Sequence, residues 1–268
     1  MTTRDLRESP GYDAFIQRLS RGWSDAQVVR HRESTARILQ RSIKGLNSLP
    51  PGETVHKQIV VGQVQSGKTS SFESVIRLAR DNGFPIAYLL GGNTKILLMQ
   101  SVTRFANDYL VRDVANRDSA WQIFSLPKVP GFDVKPADIE NRLRIGLQRW
   151  YENPDSPYSE AFLIASLKTA ARLRKVTRLL GEIYPSFPDL RLLVVDDESD
   201  QASPDGNTSN PNMTPTTTHE RITDLQSVGM PVAYIMYTAT PAANLLGTFE
   251  SAVSPDALTA IPLPSRIR

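Results

Sequence analysis

The feature that most constrains this chain is a glycine-rich turn between an apolar run and a helical pattern. The segment IVVGQVQSGKTSSF, residues 59–72, matches G-x-x-x-x-G-K-[ST] in full over Gly62–Thr69. Glycines let the backbone turn tightly, so that successive N–H groups point inward toward an anion. The helix that follows adds the positive end of its dipole. The motif therefore predicts a site for the phosphates of a nucleotide, at the end of a strand in an α/β fold.

The residues of this turn have separate predicted roles. We expect Lys68 to bring its charge to the β- and γ-phosphates and the hydroxyl of Thr69 to ligate Mg²⁺. ATP and Mg²⁺ are therefore the predicted cofactors. The predicted cofactor-binding residues are Gly62, Gln63, Gln65, Ser66, Gly67, Lys68, Thr69 and Ser70.

A cluster of acidic residues follows a second apolar run, in RLLVVDDESDQAS, residues 191–203. In parallel sheets, ligands bind at the edge formed by the carboxyl ends of the strands. A phosphoryl-transfer site needs one carboxylate to hold Mg²⁺ and another to orient and deprotonate the attacking water. We predict that Asp197 serves the metal and that Glu198 is catalytic, together with Lys68. Asp196 is the alternative metal-side residue, because spacing alone does not determine the register.

Short apolar runs alternate with helical patterns between residue 51 and residue 240. The runs show little two-residue alternation, as is typical of strands buried on both faces. This alternation predicts an α/β fold with a mostly parallel sheet and helices on both faces. The predicted strands are 57–61, 86–90, 122–126, 162–167, 191–196 and 232–237, and the predicted helices are 67–82, 95–111, 136–151, 168–182 and 219–228.

The first 50 residues predict a helical appendage to the main domain, which we place at 51–268. A helix over 24–46 would begin at Ser24, with Gln27 completing a capping box. Its apolar stripe is Val29, Ala36, Leu39, Ile43 and Leu46. The polar segment 201–219, rich in Ser, Thr, Asn and Pro, predicts a mobile loop.

The composition of the chain excludes some kinds of site and argues against a membrane protein. The chain has no cysteine among its 268 residues, which excludes disulfides and thiolate metal sites. No apolar run approaches the length of a membrane span, so we expect a soluble, cytoplasmic protein. Basic side chains are concentrated in residues 1–50 and 168–178. Such clusters attract nucleic-acid phosphates or form solvated helix faces, and composition does not separate these alternatives.

Three segments together resemble the first RecA-like lobe of a superfamily-two helicase. DESD, 197–200, is similar to the DExD box, and TATP, 238–241, is similar to the Ser-Ala-Thr motif that couples the nucleotide site to nucleic acid. NTKILLMQ, 93–100, resembles an element that contacts the nucleic-acid backbone. The resemblance implies a RecA-like P-loop fold and nucleic acid as the partner, DNA more than RNA. The residues that it implies for coupling and nucleic-acid contact are Thr238, Thr240, Thr94, Lys95 and Gln100.

A narrower resemblance is to the N-terminal part of Z-one-domain proteins, carried by VVGQVQSGKT, VVDDESDQAS and YTATPAANLL. These are large bacterial proteins described as endonucleases of restriction and phage-defence gene clusters. The resemblance implies an ATPase lobe that acts in such a system. It also implies a second RecA-like lobe and a nuclease part, which we expect this chain to lack.

Three functions are compatible with these motifs. The first is the ATP-binding lobe of a nucleic-acid-dependent ATPase. The second is a nucleotide-binding switch module that does not turn over by itself. The third is a small-molecule kinase, which is disfavoured because such kinases rarely need a water-activating glutamate.

Overall fold

The computed structural model describes residues 6–62, 67–91, 94–113, 121–126, 136–153, 161–200, 217–240 and 255–261. In these ranges the strands are β1 Val55–Val61, β2 Ile86–Gly91, β3 Trp121–Leu126, β4 Ala161–Leu167, β5 Leu192–Asp197, β6 Val232–Thr238 and β7 Ala257–Ala260. The helices are α1 Pro10–Leu19, α2 Asp25–Asn47, α3 Lys68–Arg80, α4 Lys95–Asp113, α5 Pro136–Glu152, α6 Ala170–Ile183 and α7 Thr217–Gln226. A short 3₁₀ turn, Tyr184–Ser186, follows α6.

The seven described strands form one parallel sheet in the order β3-β4-β2-β5-β6-β1-β7. This confirms the predicted α/β class, and the architecture is that of a RecA-like domain. Strand β6 lies between β1 and β5, and the register pairs Val61 with Thr238 and Asp197 with Tyr237. The carboxyl ends of these three strands therefore meet at the same point of the sheet edge.

Helices cover both faces of the sheet and enclose two apolar cores. One core joins the sheet to α1, α2, α3 and α4, and its largest side chains include Phe15, Phe72 and Phe105. The other joins the sheet to α5, α6 and α7, through residues such as Leu143, Leu180 and Leu225. Because both faces are covered, β2 and β6 are buried along their whole length. This explains why the strands show no polar alternation.

The N-terminal helices pack against the helix that follows the glycine-rich turn. The capping box of Ser24 and Gln27 forms as predicted. The predicted apolar stripe is wrong at Val29, which is 52% exposed, whereas Ala36 and Leu39 are buried. Val28, one residue earlier, packs against the core instead, so Val29 lies on a different side of α2. The division of the chain at residue 50 stays a prediction.

Two elements were not predicted from the sequence. Helix α1 begins at Pro10 with Ser9 as its N-cap, and it buries Tyr12, Phe15 and Ile16. Strand β7 is only four residues long and pairs with β1. The predicted mobile loop is wrong at its end, because residues 217–219 belong to α7; its residues 201–216 lie outside the described residues. None of the helices in the described part of the chain has the length and apolar character needed to cross a membrane.

Candidate nucleotide site

The glycine-rich turn leaves β1 at Gly62 and enters α3 at Gly67. The N–H of Gly62 donates to the carbonyl of Thr238, 3.0 Å away, so the start of the turn is tied to the end of β6. Gly67 has a φ of 83°, a left-handed conformation that strongly favours glycine. The predicted cofactor-binding residues Gln63, Gln65 and Ser66 lie outside the described residues.

The first turn of α3 is partly open to solvent, and the rest of the helix is not. Lys68, Thr69 and Ser70 are partly exposed, whereas every residue from Ser71 to Arg80 is buried. The hydroxyl of Ser71 lies 3.3 Å from that of Tyr237, which joins α3 to β6. The N-terminus of a rigidly held helix, with a lysine in its first turn, therefore faces the strand ends. This arrangement suits an anion such as the phosphates of ATP.

Asp197 lies on the α3 side of the sheet. The preceding strand residues alternate between the two cores, with Val195 on the α3 side and Val194 on the other. Burial, and then the nearby charge of Glu198, raise the pKa of Asp197 to about 6, against a smaller lowering by Lys168 and Lys68. This electrostatic coupling between Asp197 and Lys68 relates the two predicted halves of the site. A carboxylate whose charged form is disfavoured by burial is stabilised by a nearby cation, and carboxylate and hydroxyl oxygens such as those of Asp197 and Thr69 are ligand types that suit Mg²⁺.

Asp196 faces the opposite way and is fully buried. Its Oδ1 forms an ion pair with Nζ of Lys168 at 2.6 Å, and neither side chain is exposed. Its Oδ2 accepts a hydrogen bond from the hydroxyl of Tyr234 at 2.7 Å. Asp196 therefore has its carboxylate oxygens engaged on the face away from α3. This position does not suit the alternative metal-side role.

Glu198 begins the turn after β5 and has a φ of 54°, which is unusual for a residue other than glycine. Its N–H donates to Oδ1 of Asp197 at 3.0 Å. Its carbonyl accepts a hydrogen bond from Nζ of Lys168 at 2.8 Å. The next N–H, that of Ser199, donates to the carbonyl of Tyr237 at 3.0 Å. Three contacts therefore hold this turn, and the Glu198 side chain is partly exposed.

Asp200 connects the acidic turn to the end of β6. The hydroxyl of Thr238 donates to Oδ1 of Asp200 at 2.8 Å, and that of Thr240 donates to Oδ2. The N–H of Thr240 donates to the Thr238 hydroxyl at 2.9 Å. Burial by itself would raise the pKa of Asp200, but the hydrogen bonds from Thr240 and Thr238 outweigh it and hold the pKa below its ordinary value. The two predicted coupling threonines thus contact the DESD segment directly.

The other predicted coupling residues lie at the beginning of α4, beyond the carboxyl end of β2. The Thr94 hydroxyl accepts a hydrogen bond from the N–H of Leu97 at 3.3 Å and caps the helix. Thr94, Lys95 and Gln100 are exposed. Because β2 pairs with β5, the start of α4 lies on the same sheet edge as the acidic turn.

Lys168 is the site residue that the sequence analysis did not identify. The sequence places it in the basic segment 168–178, for which attraction of nucleic-acid phosphates or a solvated helix face is predicted, but its side chain is fully buried. The sequence does contain one signal for this role. Lys168 directly follows an apolar strand, and in a parallel sheet the end of that strand lies at the same edge as the acidic run. Within the described residues, no group of three or more His, Asp or Glu side chains could hold a metal ion alone. An ion held by phosphates needs fewer protein ligands.

Comparison with known proteins finds only remote likenesses. No protein-family model and no curated protein matches the chain. Among solved structures, the chain is similar to the DUF1998 helicase MrfA, with a TM-score of 0.49 and 15% identity, over 96% of this chain and 33% of that one. It is also similar to the ATP-dependent Type ISP restriction-modification enzyme LlaBIII bound to DNA, with a TM-score of 0.40 and 13% identity, over 76% and 12%. Both likenesses are remote, and we draw no functional conclusion from either.

Proposed function

We propose that this chain is the ATP-binding lobe of a P-loop ATPase, helicase-like and dependent on nucleic acid. One observation carries the proposal. The glycine-lysine turn after β1 and the acidic turn after β5 are both tied to β6, by Gly62 and Ser199 respectively. In addition, Asp197 lies on the face of the sheet that carries α3. The ends of the glycine-lysine turn and the carboxylate pair therefore lie at one sheet edge, which supports the proposal because phosphoryl transfer to water needs a phosphate site beside such carboxylates.

Some residues of the site would bind ATP, and others would activate the attacking water. The backbone of residues 62–70 and the charge of Lys68 would hold the phosphates, and Thr69 with Asp197 would hold Mg²⁺. Bound Mg²⁺ supplies positive charge that offsets the charge developing on the transferred phosphoryl group. Glu198 accepts the proton of the attacking water, because its carboxylate is partly exposed beside Asp197.

Asp200, with Thr238 at the end of β6 and Thr240 two residues beyond it, provides a connection through which a partner would influence the site. Thr238 and Thr240 bond to Asp200, two residues beyond Glu198. A shift of the segment after β6 would therefore displace the acidic turn. Thr94, Lys95 and Gln100 lie exposed on the neighbouring part of the edge, where they would contact a nucleic-acid backbone. We propose DNA rather than RNA as that partner.

The biological setting is proposed from the motifs. We propose that the chain is the front part of a Z-one-domain protein in a restriction or antiviral defence system. ATPases of the helicase superfamily complete their site with arginines from a second lobe. An arginine supplied in trans can accelerate phosphoryl transfer by about three to five powers of ten. The chain alone should therefore bind ATP and hydrolyse it very slowly.

Turnover by the purified chain tests this function. We expect calorimetry to detect Mg·ATP binding, and we expect slow hydrolysis that rises when DNA is added. The assay is repeated with RNA and at several protein concentrations, with Lys68→Ala as the control for contaminating ATPases. Binding without turnover under every condition would select the nucleotide switch instead. Absence of Mg·ATP binding would overturn both. Fast turnover independent of protein concentration would show that no second lobe is needed.

A further inference from the structure

Lys168 has a fully buried side chain that contacts the acidic turn after β5. Lys168 itself follows β4, which does not pair with β5. Strand β2 lies between β4 and β5 in the sheet. The register aligns Ser166 with Leu90 and Leu90 with Asp196 across these strands. The Lys168 side chain therefore passes beyond the end of β2. Its ammonium group ends between the Asp196 carboxylate, at 2.6 Å, and the carbonyl of Glu198, at 2.8 Å.

The backbone of Glu198 needs such a contact. A φ of 54° is unfavourable for a side chain with a Cβ, and it persists only where the surroundings hold it. The N–H of Glu198 is held from within the turn by Asp197. The contact from Lys168 comes from a distant strand and acts on the carbonyl. It fixes the peptide plane that follows Glu198, and with it the direction in which the side chain leaves the main chain.

A role limited to stability does not account for this arrangement. Removing two charges from water is costly, and an apolar pair of similar size often stabilises a core as well or better. Asp196 also accepts a hydrogen bond from Tyr234. What an apolar residue at position 168 would not provide is the hydrogen bond to the Glu198 carbonyl.

We propose that Lys168 is a positioning residue that aims the carboxylate of Glu198 by holding its main-chain carbonyl. The consequence for catalysis rests on the proposed function, because it takes Glu198 as the proton acceptor. The effect of Lys168 on the backbone of the turn does not depend on the proposed function. Loss of Lys168 should release the turn and slow hydrolysis while leaving the phosphate turn, and hence ATP affinity, unchanged.

The test uses variants that keep buried charge balanced. Lys168→Met combined with Asp196→Asn removes the ion pair and the bond to Glu198 without leaving a lone buried charge. Tyr234→Phe is the matched control, because it removes a hydrogen bond from the same buried network and leaves the contact with Glu198 in place. The single variant Lys168→Met is added where it folds.

Amide hydrogen exchange on the full chain without nucleotide gives the first readout. We expect the amides of Glu198 and Ser199 to exchange at least about tenfold faster in the double variant than in Tyr234→Phe. The amide of Ser71 in α3, which donates to the carbonyl of Gly67, serves as the internal reference, and its exchange rate should not change. Equal protection of the turn in the double variant and the parent would overturn the proposal.

Single-turnover hydrolysis gives the second readout. We expect the double variant to bind Mg·ATP within about twofold of the parent and to hydrolyse it at least about tenfold more slowly, with Tyr234→Phe at the parent rate. An equal loss of rate in Tyr234→Phe would overturn the proposal, because general weakening of the core would explain both. A parent that does not bind Mg·ATP refutes the proposed function. The exchange readout then decides by itself whether Lys168 holds the turn.

Discussion

Two adjacent aspartates at the end of β5 lie in opposite environments. Asp197 is on the α3 face, partly exposed, with its pKa raised to about 6 by burial and by Glu198. Asp196 is on the other face, fully buried, and paired with Lys168 and Tyr234. The two-residue period of a strand sends neighbouring side chains to opposite faces. One carboxylate is therefore available to a ligand, and the other belongs to the core.

The largest contrast should appear in stability. Asp196→Ala leaves the Lys168 ammonium buried without its carboxylate, and breaking a buried ion pair in this way costs about 3–5 kcal/mol. Asp197→Ala should cost less than about 1 kcal/mol, because it removes a partly exposed group whose charge is disfavoured. Urea denaturation of both variants at neutral pH measures the difference. Equal losses would mean that the two faces do not differ as described.

The next effect is on catalysis and concerns Glu198. Glu198→Gln keeps the shape of the side chain but cannot accept a proton, so hydrolysis should fall by about 10² to 10⁴. Mg·ATP affinity should stay within about twofold, measured by calorimetry on the same preparation. If Glu198→Gln retained full turnover while Asp197→Asn abolished it, the proton-accepting role would move one residue, to Asp197.

A smaller effect is expected for the cation of the phosphate turn. Lys68→Ala should weaken Mg·ATP binding at least about 100-fold, equivalent to about 2.7 kcal/mol. Its melting temperature should match that of the parent, because Lys68 is partly exposed at the start of α3. Arg37→Ala removes an exposed cation from α2 and is the control for a change in net charge. Equal affinities for Lys68→Ala and the parent would refute the assignment of the phosphate turn.

Local signals predicted the sheet and most of the helices. Apolar runs bounded by turns located six strands to within two residues at each end, and the Ser24 capping box gave the start of α2. Helix α1 carried comparable signals, with Ser9 before Pro10 and apolar residues at positions 12, 15, 16 and 19, and could have been predicted. Strand β7 is too short for its pattern to differ from a loop.

The site was predictable only where its residues belong to local motifs. The glycine-lysine turn and the acidic run each consist of a few neighbouring residues whose types indicate their chemistry. Lys168 does not, because it meets Glu198 only through the order of the strands, which places β2 between them. The sequence leaves the choice between Asp196 and Asp197 open for a different reason. Which face a residue takes depends on where the strand begins in the sheet.

The smallest predicted effect is a pH dependence of stability in the nucleotide-free chain. The pKa of Asp197 is raised from 3.8 to about 6, first by burial and then by Glu198. The folded chain therefore holds this proton more tightly than the unfolded chain. A group of this kind stabilises the fold below its unfolded pKa, and that contribution is lost as the pH rises through the folded value.

Asp197→Asn cannot ionise and should escape this loss. Below about pH 4 the variant and the parent should have similar free energies of unfolding, since both carry a neutral side chain at position 197. Between pH 4 and pH 7 the variant should become the more stable by about 1–2 kcal/mol, less than a fully buried group would give because Asp197 is partly exposed. Urea denaturation of the two proteins at several pH values measures this difference. If the difference in free energy of unfolding did not change with pH, the surroundings of Asp197 would not raise the pKa of its carboxyl group. The adjacent aspartates would then differ in burial alone, and the electrostatic case for Asp197 as the metal-side residue would fail.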